Sequence, residues 1–539
     1  MMTLLSLLPI VSLLLCLIVF KFSVARSGAI SLLIALVIAL VAFRLPITDG
    51  LPIAVGKALW LALFVSLIVW FAMFLYHLVS DFKAIDVINK NLSIFIKDKF
   101  VAFLLLAWMF TGLLQGMAGF GVPAVIVTPI LIALGFNKVK SLAAALLGHS
   151  WAVTFGSLGA AFFVIYGLTE TVYQTDLARA MFIFNTAAHF LTGIGVCLIY
   201  DGWKGVKKGF LYVLPVSLVM TGVQYATIFI MGAYPIAGLL PALIGLITLF
   251  LLYKLRSRGK TDEIDVTEES DTAQAERPAK KGGLYKGDVN LLQAALPYLV
   301  IIVLALSFQL VMHFAPAAHE ATSFGPNFSG FETNRAYPDT HVVAPVVNFN
   351  PISVFRHPAM LLLAASVTAL LVYKSAGIWS KDVFKGAVQK TVKKGIPATL
   401  ALLALGNMSL IMMESGMTDQ LAYATANLTG GIYPLFAPFI GVLGSFLTGN
   451  NTNANVLFGG FQYTIALTLN MNPAVMTAVQ SMTAGVAVSV GPTLILMGAL
   501  ASDQKGVESV ILKKLLPIVL IIAAVMGIIN MIVMQVIVI

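Results

Sequence analysis

Apolar runs long enough to cross a lipid bilayer recur from one end of this chain to the other, and that pattern leaves very few folds open. A helix needs about 20 residues to traverse the hydrocarbon core. Runs of that kind lie near 28–43, 56–79, 100–118, 141–167, 180–200, 209–230 and 235–253, and again near 292–313, 358–374, 396–413, 474–500 and 513–538. In lipid every backbone polar group must find its partner inside the protein, and a helix finds it within itself. The expected fold is therefore an all-α polytopic membrane protein with about 12–14 transmembrane helices, not a barrel. Composition agrees: 10% of the 539 residues are charged and 59% are hydrophobic, where a soluble domain carries about 25% charged. The first run, Leu4 to Phe20, has no basic segment before it and is followed by Lys21 and Arg26, so it reads as a retained helix and not as a cleaved signal.

The basic residues set an expected orientation. Lys and Arg gather at 83–99, 204–208, 254–286, 374–394 and 505–514, whereas 314–357 holds only Arg335 and Arg356. The first group reads as cytoplasmic and 314–357 as outside, with both termini outside. The net charge of +10 then reports orientation and attraction to anionic membrane lipid, and nucleic acid is not an expected partner. Five parts follow: N-terminal scaffold helices over 1–99, a first half over 100–254, a polar cytoplasmic linker over 255–291, second-half scaffold helices over 292–430 with the outer loop 314–357, and a second half over 431–539. Cys16 and Cys197 lie in apolar helices and read as packing residues. His313, His319, His341 and His357 match no compact ligand spacing, and no glycine-rich phosphate loop with lysine occurs. Neither a cofactor, a structural metal nor ATP drive is expected.

One constant shift of the chain upon itself places Gln115 on Asn450, Asn137 on Asn472 and Gly156 on Gly491. Each copy reads as an apolar run, a glycine-rich or asparagine-rich break, a second apolar run, a turn opening with Asn, and a long helix containing Gly. Threading the runs through the charge assignments requires 100–135 and 432–470 each to enter and leave on one face, as a re-entrant hairpin or a pair of spans. The copies then run in opposite directions. Inverted repeats with interrupted helices commonly place a binding site near the midplane.

The breaks carry the chemistry. The first, 114–123, places Gln115, Gly116, Gly119, Phe120, Gly121 and Pro123 inside an apolar span, where regular helix is hard to continue. Freed N–H groups at a half-helix start attract an anion, and a tight glycine-mediated helix crossing is the competing reading. The second, 448–455, sets Asn450, Asn451, Thr452, Asn453 and Asn455 in apolar surroundings, and polar groups so placed mark a lined cavity or a dense hydrogen-bond network. Ser489 to Thr493 mirrors Phe155 to Ser157 and is expected to line the same cavity from the opposite side.

At these residues the chain resembles the L-lactate permease family, whose members carry L-E-G-A-A-G-F-G followed by A-P in the first half and T-G-S-D-T-S-S-N in the second. The likeness extends to Leu134-Gly135-Phe136, Phe155-Gly156-Ser157-Leu158-Gly159 and Asp201-Gly202-Trp203-Lys204-Gly205. The resemblance implies proton-coupled uptake of lactate, and often glycolate, across the bacterial inner membrane, and a relation to carriers that work by an elevator motion. It is broken where coupling would be decided: Gln115 stands at the usual Glu and Asn451 at the usual Asp, so neither position titrates.

His149, where the family usually has an amide, and Glu414, at the end of the run 396–413, become the coupling candidates, and a sodium site at Asn450, Asn451 and Thr452 is the alternative to a proton. The expected protein is not an enzyme. It is a secondary active transporter for a small organic anion such as L-lactate or glycolate, bound between the two breaks, ion-coupled, working by alternating access and compatible with a homodimer. The rival reading is an uncoupled facilitator or channel for small organic anions.

Overall fold

The computed structural model describes residues 1–84, 87, 98–117, 119, 122–169, 172–257, 289–314, 321–333, 342–353, 357–504 and 506–536. Among the described residues, 11 helices are long and apolar enough to cross a membrane, or 12 if the pair Lys138–Ala152 and Gly156–Tyr166, bent by 56°, counts as one span. Three further apolar helices, Met2–Ile18, Val122–Ala133 and Pro492–Ala501, are shorter. The number lies at or just below the sequence expectation because Gln174–Ile230, 57 residues holding two helices joined at a kink, is counted once, and because the breaks divide other apolar stretches into half-length helices. Most of the expected linker, 258–288, lies outside the described residues.

The chain begins with α1 (Met2–Ile18), α2 (Val24–Val41) and α3 (Gly50–Asp81). The first unit follows as α4 (Lys99–Met117), α5 (Val122–Ala133), α6 (Lys138–Gly148) and α7 (Gly156–Tyr166). Next come α8 (Gln174–Tyr225), α9 (Leu239–Ser257), α10 (Leu291–Phe314), α11 (Pro358–Ser375), α12 (Lys381–Glu414) and α13 (Met417–Thr429). The second unit is α14 (Tyr433–Thr448), α15 (Asn451–Thr468), α16 (Pro473–Ala487) and α17 (Pro492–Ala501), and α18 (Glu508–Val536) follows it. The runs read as separate helices, 180–200 and 209–230, are the two arms of α8, which is two helices joined at a kink where Asp201 and Gly202 leave the helical region.

Capping explains where the corresponding helices start. Asn137 accepts the N–H of Lys140 at 3.1 Å and opens α6. Asn472 accepts the N–H groups of Ala474 and Val475 at 3.0 and 3.2 Å and opens α16. A short carboxamide is well suited to satisfy the first donors of a helix, so these two positions behave alike for the same physical reason.

The packing of the two units is reciprocal. The last helix of the first unit, α7, lies on the second helix of the other, α15, while α17 lies on α5. Likewise α16 packs against the turn Ser150–Ala152, and α6 against the turn Val488–Val490. Around them α3 and α12 run along one another, with α2 against α12 and α11 against α3.

A small cap departs from the all-α expectation. Strand β1 (Ser323–Phe324) pairs antiparallel with β4 (Ile352–Ser353), and β2 (Phe331–Glu332) with β3 (Val342–Val343). Trp60 Nε1 of α3 donates to the Asn350 carbonyl at 2.9 Å, and Asn350 Nδ2 donates to the Gly167 carbonyl at 3.4 Å, so the cap is tied both to α3 and to the end of α7.

Candidate functional site

Both breaks meet at one small cavity. It is lined by Gln115 from the first break, by Gly449, Asn450, Asn451 and Thr452 from the second, and by Gly156, Ser157, Ala160 and Ala161 at the start of α7. Val153, Val488 and Leu494 complete it.

The second break is built by capping. Helix α14 closes at Gly449, whose φ of 74° is a left-handed value that favours glycine. The chain then extends through Asn450, with φ −158° and ψ 154°, and its Oδ1 accepts the Asn453 N–H at 2.8 Å to start α15. Asn451 and Thr452 therefore present the open end of a helix to the cavity, where N–H groups lack intrahelical acceptors and the helix dipole favours negative charge. Asn453 is buried within the helix start, and Asn455 is wholly buried, with Nδ2 donating to the Ala161 carbonyl at 3.0 Å and lying 2.8 Å from Ser481 Oγ.

The first break contributes fewer side chains. Gln115 is 4% exposed and faces the cavity. Gly119 has φ +57° and sits against Ser157, a cavity residue. Gly116 serves packing: a Cβ there would stand 2.9 Å from Leu239 Cα, so α4 and α9 cross closely at this point. The expectations for Phe120 and Gly121 lie outside the described residues.

Several cavity residues carry little signal in the sequence. Ser157, Leu158 and Gly159 have φ of 49°, 54° and 86°, so three successive residues are left-handed at the start of α7. Such conformations in residues with a Cβ cost of order 1–3 kcal/mol each and cluster at functional sites. The pattern Phe155-Gly156-Ser157-Leu158-Gly159 was the available clue, through its two glycines and its mirror at Ser489 to Thr493. On the mirrored side, Val488 and Leu494 line the cavity and the intervening residues do not.

The coupling candidates lie elsewhere. His149 is wholly buried, its Nδ1 paired with the Ala145 carbonyl at 2.8 Å, and it is absent from the cavity wall. Glu414 is not a solvated helix end, the sequence alternative to its coupling role: it is 1% exposed and takes a 2.7 Å bond from Lys57 Nζ. Thr333 Oγ1 of the cap donates to the Glu414 carbonyl at 2.6 Å, which adds a third element to that contact.

Among the described residues, the polar part of the cavity wall thus consists of hydroxyls, carboxamides and backbone, with no ionisable side chain. Its volume open to the centre of a water-sized sphere is about 30 Å³, room for about two waters. A hydroxy acid of six heavy atoms needs more space, so this conformation is contracted around the site. Among the described residues, no group of three or more His, Cys, Asp or Glu is arranged to hold a metal ion.

Comparison with known proteins places this arrangement among carriers. The family model described as L-lactate permease matches residues 2–537. "Glycolate permease GlcA" of Escherichia coli (strain K12) is 27% identical over 546 residues, covering 98% of this chain and 95% of that protein. "L-lactate permease" of Streptococcus iniae is 28% identical over 483 residues, 88% of this chain and 93% of that protein. Among solved structures, the Alcanivorax borkumensis YdaH transporter superposes with a TM-score of 0.46 at 13% identity, covering 89% of this chain and 86% of that one.

Proposed function

The chain belongs to the L-lactate permease family, and from that premise we propose that it carries a small monocarboxylate such as L-lactate or glycolate across the bacterial inner membrane as a secondary active, ion-coupled transporter. The observation that carries the reading is the neutral cavity formed jointly by Gln115 and the start of α15 at Asn451 and Thr452. The substrate carboxylate takes the N–H groups at that helix start, where the dipole offsets its charge. The substrate hydroxyl donates to the Gln115 Oε1, which otherwise has no donor.

In this reading the two units run in opposite directions through the membrane, both termini face outward, and the polar linker is cytoplasmic. The reciprocal contacts of α7 with α15 and of α17 with α5 support it, because a pseudo-two-fold relation turns each of these contacts into the other. Alternating access then moves the interlocked units against α2, α3 and α12, widening the cavity toward one face at a time. A homodimer would brace that scaffold.

The test is uptake of labelled L-lactate and glycolate into liposomes holding the purified protein, with proton and sodium gradients imposed separately. Uptake driven by one gradient is expected. No flux of either acid under any gradient would remove the carrier reading. The absence of an ionisable cavity residue favours one rival, an uncoupled facilitator; gradient-independent flux without counterflow would select it.

A further inference from the structure

Two carboxamide oxygens of α15, one on a residue of the cavity wall and one a turn further along, are fixed in orientation and left without a donor. Thr154 Oγ1 donates to the Ser481 carbonyl at 3.0 Å, so its oxygen accepts from Asn451 Nδ2 at 3.1 Å. Asn451 Oδ1 is consequently buried without a partner. Asn455 Nδ2 faces the Ala161 carbonyl, which can only accept, so the opposite atom, Oδ1, is an oxygen, and it too is buried without a donor. The two residues are one turn apart on α15 and share a helix face. Gln115 Oε1, across the same cavity from Asn451, is a third such atom. Asn450 is excluded from this set because its Oδ1 is already engaged by the Asn453 N–H.

A buried acceptor without a donor costs free energy, and a ligand that satisfied more than one of these oxygens would be held by them. A carboxylate brings no donor and a hydroxy acid brings one hydroxyl, so the acid alone is insufficient. A small cation accepts several oxygens at once. Among the described residues the wall has no fixed charge to balance that cation, and none to balance the acid. Each ion alone would be a bare charge in a poorly polarisable interior, whereas the two together are neutral.

We infer that the cavity binds a monovalent cation of sodium's size as an ion pair with the acid, held by Asn451 Oδ1, Asn455 Oδ1 and Gln115 Oε1, and that this pairing couples the two fluxes. The inference rests on the carrier reading and deepens it. No residue has to change protonation, which accounts for coupling at a site whose two usual carboxylate positions are carboxamides. By linkage, each ion strengthens binding of the other by the same factor.

The experiment measures L-lactate and glycolate binding to the purified, full-length protein in sodium chloride and in choline chloride at one pH, and sodium binding with and without acid. Sodium should tighten acid binding at least tenfold, and the acid should tighten sodium binding equally. Equal acid affinity in the two salts overturns the inference, leaving the oxygens to water and the carrier reading intact. Absence of acid binding in either salt overturns both. Asn451→Asp supplies a fixed negative charge at the same position, so sodium should bind at least tenfold more tightly without acid while the mutual factor falls toward one. Unchanged sodium affinity in that variant would remove Asn451 from the site.

Discussion

At the C-terminal end of α12, Lys57 and Glu414 bring two opposite charges together at 2.7 Å while 2% and 1% exposed, under a cap that adds the Thr333 hydroxyl and the Phe349 ring, 5.9 Å from Lys57 Nζ. Among the described residues the cavity wall holds no charged side chain, yet Gln115 and Asn451 on it, and Asn455 one turn further along α15, each keep an acceptor without a donor. In the first region each charge has its opposite beside it, and in the second the polar oxygens have no donor beside them. Polar groups in lipid are costly in both cases, so the difference separates a structural contact from a place prepared for a ligand.

That contrast can be broken most severely at the ion pair. Lys57→Met should destabilise the protein by about 3–5 kcal/mol, since it strands a buried carboxylate, and Lys57→Met with Glu414→Leu should recover most of the loss. Thermal unfolding in detergent measures both. If the single variant instead keeps its melting temperature and loses only ion coupling, Glu414 returns as a coupling group and the contrast collapses.

Asn451→Ala should do the reverse. It removes an unsatisfied oxygen along with one hydrogen bond, so stability should move by less than about 1 kcal/mol, while kcat/KM for uptake should fall about 100-fold, equivalent to roughly 2.7 kcal/mol. A stability loss as large as that at Lys57 would make the carboxamide structural. Gly449→Ala sharpens the same point through the backbone. Its φ of 74° and a Cβ placed 3.3 Å from Thr493 Cβ should cost about 1–2 kcal/mol, and the displaced Asn450 and Asn451 should lower uptake in protein that still folds.

The smallest effects test whether the two units are equivalent. Asn137→Ala and Asn472→Ala each remove an N-cap and should cost about 1 kcal/mol. Nearly equal melting shifts would support matched roles for α6 and α16. A shift confined to one would show that the units have diverged in stability as they have in their breaks.

The class of fold was legible because lipid imposes a rule on every residue of a spanning segment, so apolar runs of sufficient length declare themselves. The breaks were legible for the complementary reason: glycines at 116, 119 and 121 and asparagines at 450, 451, 453 and 455 are out of place in such runs. Their separate tasks were not. Gly116 and Gln115 are neighbours in sequence, yet one lets α4 meet α9 and the other faces the cavity, because successive residues on a helix point in different directions.

Glu414 shows the limit most plainly. Its position at a helix end fits a solvated carboxylate equally well until Lys57, 357 residues away in the chain, is brought to its side. The sequence by itself determined that the chain spans a membrane and that its apolar stretches are interrupted at 114–123 by glycines and at 448–455 by asparagines. Tertiary structure alone decided which polar atoms are paired and which are left open, because hydrogen bonding depends on contacts between distant segments, such as Thr154 with Ser481 and Asn455 with Ala161, that no local pattern encodes.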